Sequence, residues 1–125
     1  MCELGADLIP AWLTLPDVMD LLDVPMPRVR ALLRDRDLVA VKRRNEDTGN
    51  VVLCVPGPML VLADGSTGII ETLRGTVTVL TDLGMSDEEV IDWLMTVEPS
   101  LNATPLDALR SGRRAEVRRI AQALL

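Results

Sequence analysis

The stretch LPDVMDLLDVPMPRVRALLRDRDLVAVKRR, residues 15–44, decides the fold. Val18, Leu21 and Leu22 recur at the i, i+3, i+4 spacing of a short helix. Thr14 or Leu15 stands near its cap, and Pro16 suits the first turn, where a missing N–H costs nothing. The helix must stop before Pro25, because a residue preceding proline is pushed out of the helical region. Asp23-Val24-Pro25-Met26 is then a tight connection. A second helix is predicted from near Pro27 to about Asp35, with Val29, Leu32 and Leu33 on one face. Successive residues stand about 100° apart around the axis. The opposite face therefore carries Pro27, Arg30, Ala31 and Arg34, with Arg28 at its margin. Small Ala31 leaves the backbone between the arginines open to whatever docks there.

Leu38 to Arg44 reads as a strand, Asn45 to Asn50 as a polar turn rich in Asn, Asp and Gly, and Val51 to Val55 as the returning strand. Pro56-Gly57-Pro58 closes this hairpin. Met59 to Ala63 is expected to add a short strand, and Trp12, Leu13 and Leu15 an edge strand. Residues 1–11 are expected to be a flexible lead-in.

The rest reads as helical. Ile70, Leu73, Val77 and Leu80 share helical spacing, although Thr76-Val77-Thr78-Val79 also alternates like a strand. Ser86-Asp87-Glu88-Glu89 is a capping box with acids at the positive helix end. It is followed by Val90, Ile91, Leu94 and Met95 on one face. Thr104-Pro105-Leu106-Asp107 opens a short helix that Ser111-Gly112 ends. A last helix, Arg113 to Leu125, should bury Val117, Ile120, Ala121 and Leu124 and expose Arg113, Arg114, Arg118 and Arg119.

Composition narrows the chemistry. The chain of 125 residues is about one domain's worth, and 48% hydrophobic content marks it as globular. It contains Trp12 and Trp93 but neither Phe nor Tyr, which disfavours base stacking on aromatic platforms. Absence of histidine removes Ser-His-Asp and Cys-His catalysis and histidine-ligated zinc. No Gly-rich phosphate loop or paired-carboxylate arrangement stands out, so neither enzymatic activity nor a cofactor is expected. Cys2 and Cys54 form no Cys-x-x-Cys pair, so neither a cysteine zinc site nor a disulfide framework is expected. No apolar run approaches the roughly 18 residues of a membrane span, and the N-terminus lacks a basic region before an apolar stretch. A reduced, cytoplasmic setting without membrane contact is the expectation. No strong coiled-coil seam is visible, which leaves the oligomeric state open.

Charge is uneven. The formal net charge is −6, yet residues 24–56 carry +3 and residues 110–125 carry +4, while residues 57–109 carry −8. Two short helices, the second with arginines outward, then a basic hairpin, are the order of a winged helix-turn-helix. A helix fits the major groove of B-DNA, and arginine donates two hydrogen bonds to a guanine edge. A hairpin beside it lays cations along phosphates. Arg28, Arg30 and Arg34 form the groove-facing set and Lys42, Arg43 and Arg44 the wing set, with double-stranded DNA as partner. The plainer alternative is a solvated helix face followed by a charged hairpin.

Beyond these patterns, Leu15-Pro16-Asp17-Val18, Leu21-Leu22-Asp23-Val24-Pro25, Arg28-Val29, Leu32-Leu33-Arg34-Asp35 and Leu38-Val39-Ala40-Val41-Lys42-Arg43 resemble the small actinobacterial winged helix-turn-helix DNA-binding proteins. The similarity continues through Leu80-Thr81-Asp82-Leu83-Gly84, Ile91-Asp92-Trp93-Leu94, Glu98-Pro99-Ser100-Leu101 and Glu116-Val117-Arg118-Arg119. The resemblance implies an excisionase-like winged domain and a transcriptional regulator or nucleoid-associated protein. The mycobacterial member is a substrate of a membrane-bound Ser/Thr protein kinase, so such a kinase is an implied partner. There the regulated threonine lies in an N-terminal tail; here residues 1–13 contain neither Ser nor Thr, and the first candidate is Thr14. Thr104-Pro105-Leu106-Asp107-Ala108-Leu109 with Gly112 and Glu116-Val117 also resembles the C-terminal domain of antitoxins that dock on NAD-modifying toxins. That leaves a protein–protein module, antitoxin-like or a signalling adaptor, as the rival function. The expected architecture is mainly α with a small β-hairpin wing: a tail over 1–11, a winged helix-turn-helix over 12–70, and a C-terminal helical segment over 71–125 packed on it.

Overall fold

Thr14 ends one element and starts the next. Its hydroxyl accepts the Asp17 amide at 3.3 Å, while its own amide donates to Asp17 Oδ2 at 3.0 Å. This reciprocal cap, with Pro16 in the first turn, launches helix α1 (Leu15–Leu22). The computed structural model describes residues 12–45 and 47–124, so the lead-in expected over 1–11 lies outside the described residues. Trp12–Thr14 form strand β1, and Leu15 belongs to the helix rather than the strand because the cap at Thr14 fixes the boundary. Asp23, with φ 56°, turns the chain at the end of α1, and Pro25 caps helix α2 (Met26–Arg34).

The hairpin is β2 (Val41–Arg44) and β3 (Val51–Pro56), and β1 adds to it in a three-stranded antiparallel sheet of order β1-β3-β2. Strand β2 begins only at Val41, which pairs with Cys54. Carried back toward Leu38, the ladder would reach Pro56, which has no N–H to donate. Leu38 and Val39 are nevertheless buried. The strand expected over Met59–Ala63 is instead a single 3-10 turn, Gly57–Leu60, because Pro56 and Pro58 break the ladder. Arg110 donates to Pro58 O of this turn and, at 2.5 Å, to Val61 O just beyond it.

Four helices follow: α3 (Leu73–Asp82), α4 (Asp87–Met95), α5 (Pro105–Arg110) and α6 (Arg114–Gln122). The helical reading of α3 prevails over the strand-like alternation because Leu73, Val77 and Leu80 form one fully buried stripe. Ser86 and Glu89 form the expected capping box of α4. One core runs through both halves, joining Leu13, Val18, Val29, Leu32 and Val55 to Leu73, Leu80, Leu94 and Val117. Four expected apolar positions differ: Leu21 and Met95 are exposed at the last turns of α1 and α4, Leu124 is exposed beyond the end of α6, and Ile120 is only partly covered. No helix among the described residues is long and apolar enough to cross a membrane.

Arg113 also differs from expectation. Rather than standing free, it precedes α6, forks Glu116 at 3.0 and 2.9 Å, and donates to Leu101 O at 3.0 Å. The hydrogen bond from Arg113 holds the Glu116 carboxyl below its ordinary 4.5, against the opposing effect of desolvation. The folded pKa is thus lower than the unfolded one. The stabilisation is complete above about pH 4.5 and fades as pH falls through the depressed folded value. Glu116→Gln is expected to flatten this part of the acid limb in urea-unfolding midpoints taken across pH. Thr14→Ala is expected to lower stability by about 1 kcal/mol in the same measurement at neutral pH.

Candidate nucleic-acid interface

Burial sets the orientation of α2. Val29 and Leu32 are 0% and 2% exposed, so the arc on the far side of the axis faces water. Arg30 and Arg34 occupy that arc with Pro27 and the partly covered Ala31. Arg28 is exposed on the flank that turns toward α3, where it lines a depression with Asp37, Ile69 and Arg74. On the other flank Leu33 lines a second depression with Arg36, Leu38 and Leu53 of β3. The helix therefore lies between the sheet on one side and α3 on the other.

The wing cations divide by strand alternation. Lys42 pairs with Leu53 and Arg44 with Val51, so these four share one sheet face. Leu53 also lines the depression beside Leu33, which places the Lys42 and Arg44 face toward α2. Arg43 lies on the opposite face, opposite Val52, with its guanidinium carbon 4.1 Å from the centroid of the Trp12 ring. That cation–π contact spans the same face as buried Cys54 and Val41. Sequence order grouped Lys42, Arg43 and Arg44; the sheet brings Lys42 and Arg44 together and sets Arg43 apart. At the tip, Arg44 Nη1 donates to Gly49 O at 3.4 Å, and Asn45 Oδ1 accepts the amides of Asp47 and Thr48. Gly49 there adopts φ 75°, a conformation that disfavours a side chain.

Ion pairing leaves most of these cations available. Among the described residues, Arg28, Arg30, Lys42, Arg43 and Arg44 lie within 4 Å of no carboxylate. Arg34 Nε stands 3.6 Å from Asp35 Oδ1, an exposed pair of the kind worth little. Asp37 is claimed by Arg74, whose Nε and Nη2 donate to it at 3.1 and 2.6 Å; these bonds raise the Arg74 pKa further. One acid of the basic segment is thereby neutralised by α3, and the chain leaving α2 is tied to that helix. Arg36, with φ 70°, makes the turn between them and stays exposed.

Two family models match the chain: one described as the winged helix-turn-helix domain of DNA-binding protein Rv2175c, over residues 4–60, and one as the Rv2175c C-terminal domain of unknown function, over residues 70–125. The chain belongs to the Rv2175c family. DNA-binding protein Rv2175c of Mycobacterium tuberculosis is 38% identical over 122 residues, covering 88% of this chain and 77% of the relative. The solved NMR structure of Rv2175c superposes with a TM-score of 0.73 at 34% identity, covering 98% of this chain and 88% of that one. The fold shared with that family is a winged helix-turn-helix with a small hairpin wing, followed by a C-terminal helical bundle.

Two features of the family fold in this chain escaped the sequence reading. Trp12 supports the wing from the third strand, and Arg74 anchors the exit of α2. Each contact joins residues far apart in the chain, so no local spacing signals it. Arg43→Ala is expected to cost about 0.5–1 kcal/mol of stability through the lost cation–π contact. It should also change Trp12 fluorescence, read in a Trp93→Leu background.

Proposed function

We propose that the chain is a DNA-binding regulator that seats α2 in the major groove and lays one face of its wing along the phosphates. The reading is carried by one observation. The outward arc of α2 presents Arg30 and Arg34 one turn apart beside the small Ala31, and the sheet face turned toward α2 adds Lys42 and Arg44. Arg30 and Arg34 are the base-reading pair, and Arg28 contacts backbone at the helix margin. Lys42 and Arg44 grip phosphate. Arg43 has a lesser share, because its guanidinium is stacked on Trp12. Residues 12–70 act as the binding unit and residues 71–125 as the helical segment braced on it. The family resemblance supports a cytoplasmic setting.

A Ser/Thr protein kinase is the second partner in this reading. Thr14 is a poor acceptor for it, since its hydroxyl is engaged with the Asp17 amide and stands beside that carboxylate. Thr48 at the wing tip is more exposed, and although its hydroxyl likewise accepts a backbone amide, from Asn50 at 3.2 Å, a phosphate at that tip would repel the DNA backbone.

Titration of labelled duplex at several salt concentrations tests the DNA reading. Affinity should fall steeply with salt, and Lys42→Ala and Arg44→Ala should each reduce the log–log slope by about 1. Arg30→Ala should cost about 1–3 kcal/mol and relax preference at one base position, with a smaller change in slope. No binding at about 50 mM salt, where the electrostatic contribution is large, would refute the proposal.

A further inference from the structure

We infer that the C-terminal helix α6 extends the DNA-contacting surface, so that duplex flanking the α2 site runs on over Arg114, Arg118 and Arg119. The inference rests on the DNA-binding reading above and adds a role for the half of the chain whose family description assigns none.

The connection runs through Gly75. This residue lies within α3 and lines the same depression as Arg28 and Arg74. A β-carbon at position 75 would stand 3.0 Å from Arg118 Nη2, so the Arg118 guanidinium lies directly over the α3 backbone at that point. Glycine in a helix interior is unfavourable by itself, and here its bare surface gives the guanidinium room. Gly75 thus links two separate surfaces: it lines the depression that Arg28 borders, and Arg118, which lines the neighbouring surface of α6, lies against it.

Arg118 continues into a wider patch. Arg114, Ala115, Arg118, Arg119 and Gln122 line an open surface on α6. Among the described residues, these three arginines make no ion pair within 4 Å; the one acid of the helix, Glu116, is held by Arg113. Arg114 and Arg118 stand one turn apart on the edge facing α3, and the outward arc carries no large apolar side chain. A protein-docking face has an apolar or aromatic centre. A row of guanidinium groups separated by Ala and Gln fits a phosphate backbone better. Asp37 in the connecting depression is neutralised by Arg74, which leaves Glu71 as its exposed carboxylate.

Full-length wild type, Arg114→Ala/Arg118→Ala/Arg119→Ala and Arg30→Ala/Arg34→Ala are titrated against duplexes of about one and about three helical turns (~11 and ~32 bp) over a salt series. The α6 variant should bind the short duplex as wild type does. On the long duplex it should lose about 2–3 from the salt slope. Glu71→Gln should act in the opposite sense, tightening the long complex by more than the short one, since Glu71 lines the depression between Arg28 and Gly75. Urea midpoints confirm that each variant is folded. Wild-type slopes for the α6 variant on both lengths would overturn the inference, assigning the patch to a protein partner and leaving the α2 reading intact. Wild-type affinity of the Arg30→Ala/Arg34→Ala variant on the short duplex would instead refute the α2 reading itself.

Discussion

Val29 and Leu32 bury one side of α2, and that burial fixes where every arginine on the helix can point. With both in the core beside Leu13, Val18 and Val55, rotation of α2 about its axis would drive guanidinium groups into an apolar interior. The outward arc is therefore set by packing rather than by attraction to a ligand. The same core holds the sheet, because Val55 on the central strand and Leu13 on its neighbour lie in it. Helix and wing are thus referred to one rigid body. That fixed relation is what a surface needs to match groove and phosphate together.

The helical half contributes to this geometry through polar contacts as well as through the shared core. Arg74 reaches from α3 to Asp37, just beyond the end of α2, and Arg110 reaches from α5 to the backbone of the turn that follows the wing. Both arginines act within the protein and tie the two halves together, Arg74 beside the exit of α2 and Arg110 at the turn after β3. The Arg74–Asp37 pair is bidentate, with the Asp37 side chain only 13% exposed and the arginine half-exposed. It removes one negative charge from the basic face and holds the turn at Arg36.

Much of the winged unit was legible in sequence because its signals are local. Pro16, Pro25 and the i, i+3, i+4 stripes fixed two helices, and Asn45 to Gly49 fixed a turn, all within a few residues. The order of elements also pointed to the family that the comparisons identify. What could not be read were properties of assembly. Lys42, Arg43 and Arg44 are consecutive, and only alternation in a paired strand, with Trp12 brought alongside from β1, separates Arg43 from its neighbours. Arg113 reads as a surface cation at a helix start until Leu101 O is seen to accept from it. Leu124 fits the periodic stripe of α6, yet the helix ends at Gln122 and the stripe has nothing left to pack against.

The acidic majority of the chain bears on specificity as well as on solubility. Asp87, at the first turn of α4, lines the depression between α2 and the wing together with Arg36 and Leu53. Asp87, Glu88 and Glu89 are required there by the helix start, since acids favour the positive end of a helix and Glu89 completes the cap. Of the three, Asp87 also sets a negative charge beside the wing-side flank of α2. On the wing side Asp87 thus stands near the sheet face that carries Lys42 and Arg44, so the positive charge there is tempered by an acid from the helical half. A net charge of −6 is compatible with DNA recognition in this fold: acids spread over the chain weaken indiscriminate attraction to phosphate, and a surface that gathers exposed cations, as the outward arc of α2 and the neighbouring sheet face do, can offset that locally.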